Sequence, residues 1–259
     1  VHRHDLKEEE SLLKPIQSNL SRALLGVLLA SAAFASQAAG MLPESTVVLI
    51  NEADGEASMV VTNTDPGPSL LYTTIQSVDE DPKPPVILTP PVARVEPGKK
   101  QTVRFMLTNT EPLKVERYAR ATFDGIPERK PDGTNTVTLT VRQNLPIVMH
   151  PKSLPEDKTP WKHLKWSRNG DVLTATNDSA YVVRVDQKLN LMPGNAEVSL
   201  PKSYLVPGGK VEVKLPERKG EDGKVLKDDF TQVVMTPFTA YGYAAPPYEA
   251  QIGAEGAAK

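Results

Sequence analysis

The chain has 259 residues, enough for one large domain or two of ordinary sandwich size. Hydrophobic residues at 39% and charged residues at 24% fit a globular protein and exclude a disordered or membrane-spanning one. The formal net charge of −2 leaves no global field for nucleic acid or an anionic membrane, and the lack of cysteine excludes thiol catalysis, disulfides and any zinc site built on thiolates.

In chain order, Lys14 and Arg22 open a positively charged start, and the apolar run Ala23-Leu24-Leu25-Gly26-Val27-Leu28-Leu29-Ala30 follows. Ser36-Gln37-Ala38 then supplies the small-x-small pattern that signal peptidase reads. Residues 1–38 therefore read as a signal peptide, too short for a comfortable membrane span, with the mature chain starting near Ala39. Residue 1 is Val, so the stretch before about Lys14 reads as an over-long start.

The remainder alternates short β-branched segments with turn clusters. Thr46-Val47-Val48-Leu49-Ile50 and Ser58-Met59-Val60-Val61-Thr62-Asn63 are predicted strands, the second closed by Thr64-Asp65-Pro66-Gly67-Pro68. Further strands are expected at 71–78, 103–107, 118–123 and 136–149, with Pro97-Gly98 as a clear turn. About seven strands between turn signals over 39–150 predict an immunoglobulin-like sandwich. Residues 151–160 carry mixed charges and prolines and read as a hinge. Beyond them, 161–259 restarts the pattern at 172–176, 181–185, 211–215 and 232–235, with Pro193-Gly194 and Pro207-Gly208-Gly209 as turns. The 24 prolines scattered along the chain suit turns between strands and not helices. The expected fold class is all-β, two sandwiches in tandem.

Groups for catalysis do not assemble in the sequence. After the leader the histidines are His150 and His163, with no acid at metal-ligand spacing. No glycine-rich phosphate loop follows a strand, and no serine sits in a G-x-S-x-G turn. Trp161 and Trp166 bracket Lys162, His163 and Lys165, but no wider basic stripe extends the cluster, so core packing is the expectation for both rings. No enzyme activity, cofactor or metal is expected.

Thr89-Pro90-Pro91-Val92-Ala93-Arg94-Val95-Glu96-Pro97-Gly98, with Gln101, Val103 and Arg104 after it, is a long and unusual string. It resembles the T-P-P-x-x-R-x-E-P-G-x-x-Q-x-V-R stretch of the periplasmic pilus chaperones of the chaperone–usher pathway. Glu116-Arg117 and Ile126-Pro127 occupy the positions of that family's E-S…I-P segment, and His150-Pro151 stands where the family has R-P at its hinge. Asn177-Asp178-Ser179-Ala180-Tyr181-Val182-Val183 is similar to its N-x-T/S-x-Y-x-V stretch, and Tyr241-Gly242-Tyr243 loosely matches its D-Y-G.

The resemblance implies two immunoglobulin-like domains in a boomerang, with the last strand of the first domain inserted into an incomplete pilus subunit. Val137, Leu139 and Val141 lie on one face of an alternating strand and match the apolar positions the family inserts. Main-chain pairing then gives affinity largely independent of subunit sequence, while three apolar side chains contribute about 1.5–3 kcal/mol each. An apolar edge of this kind is an aggregation hazard until it is used or covered, and a self-capping homodimer is one cover. The implied partners are pilus subunits and an outer-membrane usher, and the implied compartment is the periplasm. Two departures matter. The family's cleft arginine and lysine fall on Val47 and Pro146, which carry no charge, and His150 replaces the hinge arginine. The 145–151 stretch instead resembles the divergent branch called alternate or archaic chaperones, in which a basic residue on the preceding strand holds the subunit's C-terminal carboxylate. Arg120 matches that position, and Arg142 on the donor strand is the second candidate.

Two other classes share the pattern. A structural pilus subunit or adhesin would carry its own N-terminal extension of alternating apolar residues, and only 39–45 precede the first predicted strand. A carbohydrate-binding sandwich would show a flat aromatic face, against an aromatic content of 5%.

Overall fold

The computed structural model describes residues 40–128, 140–215, 218–219, 225–226 and 230–254, with 218, 219, 225, 226 and 254 described in backbone only. The turn clusters do cut the chain into short strands. The first nine are β1 (Met41–Pro43), β2 (Val48–Asn51), β3 (Glu56–Asn63), β4 (Ser69–Gln76), β5 (Val86–Thr89), β6 (Val92–Val95), β7 (Lys100–Leu107), β8 (Arg117–Pro127) and β9 (Arg142–His150). They form one sheet in the order β1-β3-β7-β5 and another in the order β2-β9-β8-β4-β6.

The structure has nine strands here where the sequence predicts about seven. The predicted segments leave out β1, β5 and β6, all sheet edges of three or four residues. So short a run shows no period, and edges tolerate the prolines that flank them. The long strands carry the pattern: on β7, Val103 and Phe105 are fully buried while Thr102 and Arg104 point to solvent. Phe105 meets Phe123 of β8 edge-to-face, with centroids 6.2 Å apart, so the two sheets interlock at the middle of the core.

The second sandwich is β10 (Leu164–Asn169), β11 (Val172–Asn177), β12 (Val183–Met192), β13 (Ala196–Ser199), β14 (Tyr204–Leu205), β15 (Lys210–Lys214), β18 (Gln232–Phe238) and β19 (Tyr248–Ala254), with β16 (Arg218–Lys219) and β17 (Val225–Leu226) as a separate pair. β19 ties its two layers together, antiparallel to β18 and parallel to β10. Trp161 and Trp166 are buried in its core, as the packing expectation requires. Trp161 sits on a single 3-10 turn (Pro160–His163).

The same polar clasp closes both sandwiches. Asn63 ends β3 with no exposure, its amide donating to the Gly67 and Val95 carbonyls while its oxygen accepts from the Asp65 N–H. Asn177 ends β11 equally buried, donating to the Tyr181 and Leu205 carbonyls and accepting from the Ser179 N–H. Each asparagine also grips the Pro-Gly turn packed beside it: Gly98 donates to the Asn63 carbonyl and Gly208 to that of Asn177. Fully bonded asparagines are the only cheap way to bury such groups, and they pin each turn to its strand.

Candidate functional site

β8 has two different faces because side chains alternate along it. Ala119, Ala121 and Phe123 point into the first core with no exposure. Tyr118, Arg120, Thr122 and Asp124 share the other face, and the register with β9 sets them opposite Val148, Pro146, Asn144 and Arg142 respectively. Those pairs form a row running outward from the seam between the sandwiches.

The seam itself is apolar. Val47, Tyr118 and Val148 from the first sandwich meet Val182 and Val206 from the second. The Tyr118 and Tyr204 rings stack with centroids 4.3 Å apart. Polar ties flank this contact. Glu116 accepts a hydrogen bond from the Val182 N–H at 2.6 Å and bonds His150 Nδ1 at 2.8 Å, while its own N–H donates to the Ala180 carbonyl. His150 Nε2 contacts the Leu154 carbonyl at 3.0 Å, so the residue at the family's hinge position ties Glu116 to the hinge segment, and Glu116 itself reaches the second sandwich. Burial pushes the Glu116 carboxyl up, and its bonds to His150 and Val182 pull partly the other way. Lys202 and Glu80 pair across the same seam.

One step outward lies Arg120, half-buried. Its Nε donates to Asn144 Oδ1 at 2.6 Å, Nη2 to the Asn144 carbonyl at 2.6 Å and Nη1 to the Tyr118 hydroxyl at 3.0 Å. All three acceptors are neutral, and burial pushes the Tyr118 phenol up so that it stays neutral. Arg142 differs. Its Nε donates to Asp124 Oδ1 at 2.6 Å, and that carboxylate is only 8% exposed, so its charge is already met. The two candidate anchors thus stand on one face, one held by neutral groups and one by an acid.

Val47 is buried in the seam and Pro146 sits opposite Arg120. Val137 and Leu139 lie outside the described residues. Val141 is described, and it is 45% exposed. It lies just before β9 and has the parity of Gln143, Leu145, Ile147 and Met149, the last two with no exposure. The core-facing row of β9 therefore runs off the end of its own core. The main-chain edge opens at the same place: β2 pairs parallel to β9 only from Ile147 to His150, leaving 142–146 bonded to β8 alone among the described strands.

A cavity of about 240 Å³ opens nearby, lined by Glu116, His150, Glu156, Asp157 and Tyr241 among others. Three carboxylates give it the wrong sign to receive a chain terminus. Among the described residues no group of three His, Asp or Glu side chains could hold a metal ion. Sequence reasoning missed Asn144, Tyr118 and Tyr204. Tyr118 shares the parity of Arg120 and could have been found from it, whereas Asn144 reaches the site only through the β8–β9 register.

Two immunoglobulin-like sandwiches meeting at an apolar seam, with the last strand of the first open at one edge, are the architecture of a chaperone of the pilus-assembly kind. Residues 40–155 match the family model "Pili and flagellar-assembly chaperone, PapD N-terminal domain", and residues 159–245 match "Pili assembly chaperone PapD, C-terminal domain". The chain belongs to this family of fimbrial chaperones. It is 41% identical to the fimbrial chaperone YhcA of Escherichia coli K12, over 82% of this chain and 90% of that one. It is 31% identical to the chaperone protein FimB/FhaD of Bordetella pertussis, over 84% and 94% respectively. Among solved structures, a chain of the Salmonella enterica SafA pilin–SafB chaperone complex shares the fold with a TM-score of 0.67 and 16% identity, covering 84% of this chain and 98% of that one. The Escherichia coli chaperone DraB shares it with a TM-score of 0.63 and 22% identity, over 82% and 98%.

Proposed function

We propose that the chain is an exported, non-catalytic periplasmic chaperone that captures pilus subunits with the strand leading into β9 and passes them to an outer-membrane usher. The observation that carries this reading is the core-facing row of β9. Beyond Leu145 the row passes the half-buried Gln143 to the exposed Val141, and Leu139 and Val137 keep the same parity in the sequence. A row shaped for a core, with an open main-chain edge beside it, suits completion of another sandwich by strand addition. A guest strand parallel to β9 would run toward the start of β2 and end beside Arg120, the guanidinium on that face whose acceptors are all neutral. A terminal carboxylate there gains charge-assisted, bidentate bonds. Two solved relatives by fold are recorded with pilus proteins bound, the SafA pilin on SafB and the CsuE tip adhesion subunit on CsuC. The same strand in a second copy of the chain would cover the row before a subunit arrives.

Co-expression with a pilus subunit lacking its own N-terminal extension tests the reading. A stable binary complex is expected with the natural sequence and none with Leu139→Arg, because a charge in the guest's core leaves an unpaired, desolvated guanidinium. An unchanged complex yield from the variant would refute strand donation.

A further inference from the structure

We infer that Asn144 is a positioning residue for subunit capture: with the Tyr118 hydroxyl it fixes the Arg120 guanidinium so that its remaining N–H groups take the subunit's terminal carboxylate, while leaving the charge uncancelled. This rests on Arg120 being the anchor. A guanidinium presents five N–H groups in a rigid plane. Asn144 occupies the Nε and Nη2 side of that plane with both its side-chain and main-chain oxygens, and Tyr118 takes one N–H of Nη1. What is left is one N–H on each terminal nitrogen, enough for a two-point contact with a carboxylate.

The choice of holders is the informative part. Arg94, Arg117 and Arg142 are each paired with a carboxylate, from Glu96, Asp81 and Asp124. An acid at position 144 would hold Arg120 harder than an amide does, since ionised partners bond about twice as strongly as neutral ones. A structural role alone would therefore favour Asp. A neutral amide fits a guanidinium kept in place and kept charged for an anion that arrives later. The neighbouring positions raise the stakes, because Val47 and Pro146 offer no second cation and Arg142 is already committed to Asp124. One arginine carries the contact, so its orientation matters more than it would in a two-cation site.

The test uses the full chain and one captured pilus subunit, prepared by protein ligation with either a carboxylate or a carboxamide at its C-terminus. The natural chaperone should bind the carboxylate form at least about tenfold more tightly, the scale of one charge-assisted bond. Asn144→Ala should shrink that preference severalfold, and Asn144→Asp should shrink it further while leaving or raising the melting temperature of the free chaperone. Both variants should bind the carboxamide form as the natural chaperone does. Asn144→Gln, which keeps the amide and misplaces it, should fall with Ala. An undiminished carboxylate preference in Asn144→Asp, or equal losses on both subunit forms, would overturn the inference while leaving Arg120 as the anchor. No preference in the natural chaperone would instead remove the anchor itself, and strand donation would still stand or fall on Leu139→Arg.

Discussion

Arg120 and Arg142 look interchangeable in the sequence, two arginines near one strand, and the structure separates them by what each touches. Arg120 has neutral partners on a half-exposed face, so Arg120→Ala should leave the thermal unfolding of the free chaperone nearly unchanged. Subunit capture should weaken by about tenfold or more, the loss expected when a charged hydrogen-bonding partner is removed. Arg142→Ala should do the reverse. It strips the counter-charge from the buried Asp124 carboxylate, lowering the melting temperature while complex yield holds. Melting curves and pull-downs on the two variants decide the matter, and equal effects on capture would mean the anchor has been misplaced. Position and charge type made both arginines visible before any fold was known. Asp124, Asn144 and the Tyr118 hydroxyl were not visible as their partners, because which residues face each other across β8 and β9 depends on register, and a one-residue slip would exchange every pair.

Among the elements, the long strands were legible and the short ones were not. β3, β4 and β7 run eight residues each, long enough for alternation to show. β1, β5 and β6 are edges whose place is set by neighbours and not by their own pattern. The hinge was half legible: His150 was noticed, but its bond to Glu116 and the grip of Glu116 on Val182 join distant parts of the chain. Two carboxylates around this hinge give opposite pH responses. Glu52, after β2, accepts the N–H groups of Leu113 and Lys152 and the Asn109 amide, and these bonds, the one from Leu113 foremost, hold its carboxyl below its usual 4.5. A depressed value in the folded state means its contribution is present above about pH 4.5 and lost as pH falls through the folded value. The melting-temperature deficit of Glu52→Gln should therefore be widest near neutrality and close in acid. Glu116, raised by burial, contributes below about pH 4.5 and loses that contribution as pH rises through its folded value. Relative to Glu116→Gln, the natural chain should accordingly lose ground as pH rises from about 4.5 toward neutrality. Melts across that range read both slopes, and parallel curves for the two pairs would contradict the assignment.

At the scale of the whole molecule, the tandem sandwiches could be read from turn spacing, but the seam that joins them could not. Its members come from five separate places, Val47, Tyr118, Val148, Val182 and Val206, and each looks like an ordinary core position on a strand or at its end. Gly242 shows how closely the halves fit. It lies in the left-handed region at φ 87°, in the turn after β18, where its N–H donates to the Thr239 carbonyl. A methyl group there would overlap Thr46 Oγ1 and lie 3.6 Å from Val47 Cγ1, both in the first sandwich. Gly242→Ala should thus cost on the order of 1–2 kcal/mol for the backbone conformation alone, with the overlap added to it. Thr46→Ala removes the overlapping hydroxyl, so the double variant should recover the steric part and retain the backbone part. A coupling of about 0.5–2 kcal/mol between the two sites would be the signature of contact across the seam. Denaturant unfolding of the four proteins in that cycle measures it. Strict additivity would mean that the turn of the second sandwich does not touch the residues leading into β2.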